Sequence, residues 1–279
     1  MEEKKEKKDQ FIIAYLTDLE NTKPIIDNAI AFSKLLDKGL ILLYISDKKF
    51  NNISSQEAEK KLKELNQTIE LNFHSYCAIE GNTKEIIESL PHLLSGVLII
   101  SSVNKTDKTK ANHYNNLLKN FYASRIAYLV IEENFDSIIN FNSIILSLEN
   151  FRESKEKVLW ASYFGRFAGS ELTLFYHNYK DEFFHRQLRL NIAFAKKMFS
   201  NFSLNFNYFE SKDTKTFVDH QAILFAKEEG YDLIICQTTK NRNWTNKLLG
   251  LRERKTIIDN YNIPILFVNP REDLFILCE

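Results

Sequence analysis

The sequence is poor in the residues that break or staple a chain: seven Gly, four Pro, three Cys and two Met among 279 residues. So few Gly and Pro exclude collagen-like and low-complexity architectures. Cys77, Cys236 and Cys278 are odd in number and far apart, with no CxxC and no Cys/His ligand spacing. They support neither a disulfide framework nor a zinc site. Charge of one sign is lacking as well, because 37 Lys+Arg balance 37 Asp+Glu. A neutral chain has no electrostatic footprint for nucleic acid or an anionic membrane, so neither is expected as a partner. Long apolar runs are missing: stretches such as 40–45 and 97–100 are strand-sized, against the roughly 20 residues of a membrane span. The opening MEEKKEKKDQ has no apolar region behind it and reads as a solvated tail rather than a signal peptide. The expected location is the cytoplasm.

What is present is an ordinary globular balance, 44% hydrophobic and 27% charged, on a chain long enough for two domains. Strand-like runs alternate with helical patterns from end to end, as in βαβ units around a mostly parallel sheet. The predicted strands of the first half are 12–16, 40–45, 71–78, 97–101 and 127–131. Those of the second half are 143–148, 172–176, 204–209, 233–236 and 263–268. Between the first two, Ile25, Ile26, Ala29, Ile30, Ser33 and Leu36 recur at helical spacing, with Pro24 suited to the first turn. Ser54 and Glu57 form a capping box, each satisfying free amides of the other. Further helical faces are Val158, Ala161, Gly165 and Ala168, then Leu188, Ile192, Ala195 and Phe199, then Val218, Ala222, Phe225 and Ala226.

The halves repeat. A shift of 132 residues carries Ile12, Ile13, Leu16, Lys23, Phe32, Leu42 and Tyr44 onto Ile144, Ile145, Leu148, Lys155, Phe164, Leu174 and Tyr176. With small changes of offset, Leu71-Asn72-Phe73 falls on Leu204-Asn205-Phe206 and Leu98-Ile99-Ile100 on Leu233-Ile234-Ile235. The conserved order across five strands carries more weight than any one match. The expected organisation is a tail (1–10), a first domain (11–137) and a second (138–279), without a long linker.

Two such units of about 130 residues resemble a tandem of the universal stress protein family. The resemblance rests on element order, on Ile12-Ile13-Ala14-Tyr15-Leu16-Thr17-Asp18, and on a closing pattern. That pattern runs from Asp232-Leu233-Ile234-Ile235-Cys236-Gln237 through Leu248-Leu249-Gly250 and a helix to Ile263-Pro264-Ile265-Leu266-Phe267-Val268. It implies an α/β fold of two Rossmann-like parallel sheets, each in the order 3-2-1-4-5, paired through their fifth strands as an intramolecular pseudo-dimer. A homodimer of such tandems is equally compatible. Nucleotide-binding members carry G-x2-G-x9-G-[ST] after the fourth strand, because glycine lets backbone amides approach phosphates at a helix N-terminus. Here that spacing lands on Gln237, Lys240, Gly250 and Leu251, so one glycine of three remains. The matching part of the first half, around Leu117-Leu118-Lys119-Asn120, has none.

The resemblance implies ligand contacts at Asp18 and at its counterpart Asn150, which Glu149 precedes, and at Gln237, Lys240 and Gly250. Lys240, Arg242, Lys247 and Arg252 offer cations where amides no longer can. No HExxH or GxSxG is present, and His74, His92, His113, His177, His185 and His220 lack a second ligand at useful spacing. No catalytic or metal-binding residue is therefore expected. Cys236, ending an apolar strand, reads as a buried inert thiol, and His177 as a polar residue ending a strand. Phe183, Phe184, Phe199 and Phe202 read as core or helix-packing residues. The apolar stretch 274–277 near the C-terminus should not stay in water, and reads as an added strand or a cover for a seam, within the chain or on a partner. The resulting expectation is a non-catalytic stress-response protein that binds a protein partner or small ligand without ordinary ATP binding. The alternatives are a switch that binds ATP or another adenine nucleotide in the second domain, with at most slow hydrolysis, and an enzyme of a related nucleotide-binding fold.

Overall fold

The computed structural model describes residues 10–50, 53–104, 106–107, 109, 113–121, 124, 126–213, 216–238 and 262–269. In the first half, β1 (Phe11–Tyr15), α1 (Lys23–Leu36), β2 (Gly39–Ser46), α2 (Ser55–Gln67) and β3 (His74–Glu80) run in βαβ order. They are followed by α3 (Thr83–Leu93), β4 (Gly96–Val103), α4 (Tyr114–Phe121) and β5 (Ala127–Glu132). The second half repeats the order as β6 (Ser143–Ser147), α5 (Lys155–Phe167), β7 (Glu171–His177), α6 (Glu182–Asn201) and β8 (Phe206–Ser211). It continues with α7 (Val218–Glu229), β9 (Leu233–Gln237) and β10 (Ile265–Val268).

Local chemistry sets these boundaries. Pro24 sits in the first turn of α1, where its missing N–H costs nothing. The Ser54 hydroxyl accepts the Glu57 amide at 3.2 Å to open α2, half of the expected capping box. Helix α7 stops at Gly230, whose φ of 74° few other residues adopt cheaply. The β-branched and aliphatic runs of β1, β2, β4, β6 and β9 are buried on both faces, as helix-covered parallel strands must be.

All ten strands join one sheet in the order β3-β2-β1-β4-β5-β10-β9-β6-β7-β8. Each half is therefore a 3-2-1-4-5 sheet, and the halves meet through their fifth strands as expected. Leu129 faces Leu266 at the centre of the antiparallel β5/β10 seam, with Val130 opposite Ile265 and Tyr128 opposite Phe267. Tyr128 and Phe267 stack at 5.1 Å across it. On one face of the sheet, Phe32 of α1 and Phe164 of α5 pack edge to face at 5.9 Å. These two residues are repeat mates, so the pseudo-twofold axis passes between their helices, with Phe141 against both rings. The core on this face runs without a break from one half to the other. A second core lies beneath α3, α4 and α7 on the opposite face.

Two expectations need correction. Strands β3, β8 and β10 begin two or three residues later than predicted, and Leu71-Asn72-Phe73, Leu204-Asn205 and Ile263-Pro264 lie before them. Of these, β3 and β8 are the outer strands of the sheet, where one open side mixes polar with apolar residues and blurs the start. Phe199 is buried as expected, but Phe183, Phe184 and Phe202 are exposed. The first two ride the opening turn of α6, beyond the sheet that would cover them.

Candidate functional site

Open α/β sheets bind ligands beyond the carboxyl ends of the strands, where the strand order reverses and neighbouring connections leave toward opposite faces. In the second half that crevice lies between β6 and β9. Its walls are the N-terminal turns of α5 on one face and of α7 on the other.

Lysine 157, in the first turn of α5, enters this crevice and is fully buried. Its Nζ donates to the Ser147 hydroxyl, at the end of β6, at 3.2 Å. It also pairs with Glu149 Oε2 at 3.7 Å. The Ser147 hydroxyl in turn donates to Asp219 Oδ1 in the first turn of α7. The chain Lys157–Ser147–Asp219 thus crosses from one helical layer to the other. Beside it, Ser154 donates to Gln237 Oε1 at 3.4 Å. Asn191 of α6 holds the turn after β6 through the carbonyls of Glu149 and Phe151, at 2.8 and 2.7 Å. A buried ammonium survives only when paired and hydrogen-bonded, and Glu149 and the Ser147 hydroxyl supply that.

The surroundings are dry. Burial pushes the Cys236 thiol well above its usual range, and the nearby Asp219 charge adds to the effect. Cys236 is therefore a buried, unreactive thiol. His177, the last residue of β7, is buried too, and burial holds its pKa below the ordinary value despite nearby Asp213 and Glu149. Its Nδ1 has no partner among the described residues.

The equivalent crevice of the first half, between β1 and β4, is filled differently. The repeat shift places Tyr15 where Ser147 stands and Ile25 where Lys157 stands. Tyr15 packs edge to face on Phe121 at 6.4 Å, and its hydroxyl reaches Thr83 at the start of α3. Burial drives that phenol far above its usual pKa. Asp47, just after β2, accepts the Thr83 amide and hydroxyl, each at 2.9 Å, beside the Asn82 N-cap of α3. Burial raises the Asp47 pKa, but the hydrogen bonds from Thr83 and Lys49 outweigh it and leave the carboxyl below its ordinary value.

Among the residues expected at the site, Asn150 and Gln237 come to the same crevice mouth of the second half. Gln237 is buried against Ser154, and Asn150 is half-buried. Asp18 stands at the matching edge of the other half, where its Oδ1 accepts the Glu20 amide at 2.8 Å within its own turn. It also lies near Tyr44, whose buried hydroxyl is pushed up to about 12 by burial first and the Asp18 charge second. Lys240, Gly250, Arg242, Lys247, Arg252 and the stretch 274–277 lie outside the described residues. The sequence reading passed over Lys157, Ser147 and Asp219. The available clue was spacing, since Lys157 falls three residues after Ser154 and four before Ala161, on the stripe that α5 buries.

The described residues suit a polyphosphate poorly. In the second half the buried cation is already spent on Ser147 and Glu149, and a second carboxylate closes the far side. In the first half a cleft of about 430 Å³ lies at the ends of β4 and β5. Its described lining carries Glu132 and Glu133 and no cation. Among the described residues no group of three or more His, Cys, Asp or Glu could hold a metal ion. No described helix is long and apolar enough to cross a membrane.

No family model matches the sequence, and no curated protein matches it. Solved structures match the fold. A universal stress protein from Archaeoglobus fulgidus is similar over 94% of this chain and 97% of its own, at 12% identity and a TM-score of 0.67. A functionally unknown protein from Pseudomonas aeruginosa covers 96% and 94%, also at 12% identity, with a TM-score of 0.63. The cytoplasmic domain of a prokaryotic cation chloride cotransporter covers 93% and 94% at 13% identity, with a TM-score of 0.54. One architecture thus serves different jobs, and function has to be argued from the site. The strand order, the pairing through fifth strands and these likenesses agree that the chain has the fold of a tandem universal stress protein.

Proposed function

We propose that the protein is a universal stress protein-like, non-catalytic binding or regulatory protein of the cytoplasmic stress response, without ordinary ATP binding. Its two domains, 11–137 and 138–279, act as one pseudo-dimeric body that offers surfaces to a protein partner or a small ligand other than a nucleotide. The carrying observation is the Lys157–Ser147–Asp219 chain, which takes up the described part of the second-half crevice with the protein's own side chains. The remnant phosphate spacing, one glycine of three, points the same way.

The test is a thermal-shift titration with ATP, ADP and AMP. A ligand at about 100 times its Kd stabilises by roughly 2.7 kcal/mol. At about 2–4 °C per kcal/mol that is a shift of roughly 5–10 °C. The proposal expects no shift at millimolar nucleotide. A shift of that size, lost on replacing Lys240 or Gly250, would instead establish a nucleotide switch in the second domain.

A further inference from the structure

Helix α5 carries an aromatic ladder whose first ring, Trp160, packs partly against the core, while the next two lie exposed. Trp160 and Tyr163 meet edge to face at 5.9 Å, and Tyr163 and Phe167 stack at 6.1 Å with planes within 7°. Spacings of three and four residues put the three rings on one side of the helix, and Tyr163 and Phe167 are exposed. The ladder is one wall of a groove of about 370 Å³. Its lining also includes Lys38, Val97 and Ala127, at or just before the amino ends of first-half strands, with Glu156 and Asn269.

We propose that this groove seats the chain's own C-terminal segment, Leu274-Phe275-Ile276-Leu277, bound within the same molecule. Three observations select that occupant. The groove's lining includes Val268 and Asn269, at the carboxyl end of β10. Asn269 is the last described residue before the segment, and its side chain is tied to the Ser124 and Ile126 carbonyls at 2.6 and 2.8 Å. Reach is sufficient: Leu274 is five residues on, up to about 17 Å of extended chain. The ladder from Trp160 to Phe167 is only about 10 Å long. The chemistry is also complementary. Four consecutive apolar residues gain by leaving water, and the ladder offers them aromatic faces. Lys38 has no carboxylate partner among the described residues, and Glu272 and Asp273 precede the apolar run.

Trp160 reports on the groove. The chain has two tryptophans, so the W244F variant leaves Trp160 alone. Acrylamide quenching of Trp160 should be weak in that full-length variant. It should rise severalfold in the same chain ending at Arg271, and in F275D, which keeps the full length. A peptide of residues 270–279 added to the shortened chain should restore protection, which also shows that the shortened chain remains folded. Equal quenching in full-length, shortened and F275D chains would overturn the proposal. Protection that disappears on dilution of the full-length protein would overturn it too, since a second copy would then supply the segment. The groove adjoins the crevice, sharing α5 and the Val268–Gln237 register, so the nucleotide question is read separately, from the thermal-shift titration.

Discussion

In the first half, Tyr15 ends β1 and fills the space between β1 and β4 with a phenyl ring, its hydroxyl resting on Thr83. In the second half, Ser147 holds the same place in the repeat, and Lys157 reaches in from the neighbouring helix instead. One crevice is closed by an aromatic strand residue, the other by a salt-bridged ammonium. The comparison teaches that the crevice must be filled somehow when no ligand supports it. A short strand residue obliges a long side chain from elsewhere to come in, and its charge obliges carboxylates to follow.

The sharpest way to break the comparison is to remove the ammonium. K157A takes the ammonium from Glu149 and from the Ser147–Asp219 hydrogen bond, and losing one partner of a buried pair costs about 3–5 kcal/mol. The melting temperature should fall by on the order of 10 °C, as a thermal melt would show. K157M combined with E149Q and D219N should recover most of that loss, because the carboxylates are neutralised together with the ammonium. If the triple variant is as unstable as K157A, packing rather than charge governs the site.

The corresponding change in the first half is milder. Y15F keeps the ring and loses only the contact to Thr83, which should cost about 1 kcal/mol in denaturant unfolding. D47A leaves the buried Thr83 amide and hydroxyl without their acceptor and should cost about 1–3 kcal/mol at neutral pH. Because the folded-state pKa of Asp47 is depressed, its contribution is present above the ordinary carboxylate value and disappears as pH falls through the lower folded value. Wild type and D47A should therefore converge in stability in strong acid.

The smallest effect belongs to His177. Burial holds its folded pKa below 6.5, so the unfolded chain binds the proton more readily. Stability should be full above pH 6.5 and decline as pH falls below it. Melts of wild type and H177F between neutral and mildly acid pH would show this, with the variant flatter. An identical slope would remove His177 from the account.

Much of the architecture was legible because it is written locally. Apolar runs, helical spacing and the 132-residue repeat are contained in short windows, and the repeat alone pairs Phe32 with Phe164, which meet at the pseudo-axis. The starts of β3 and β8 were less legible, since an outer strand carries no continuous apolar run. The crevice was hidden for a different reason. A lysine in a helix ordinarily faces water, and the groups that hold Lys157 inside lie 10 residues away at Ser147 and in another helix at Asp219. Only the folded sheet brings them together. Asp18, Asn150 and Gln237 lie at or just beyond strand ends, where the resemblance implies ligand contacts. What they contact beyond the chain is the matter of the proposed function.

The central claim is that the second-half crevice is occupied by Lys157, and amine-specific labelling of the native protein with residue-level mass spectrometry tests it most directly. Lys157 should stay unlabelled under native conditions while an exposed lysine such as Lys23 reacts fully, and should become reactive only on unfolding. Native labelling of Lys157 at the pace of Lys23 would mean the crevice is open, and would contradict the account.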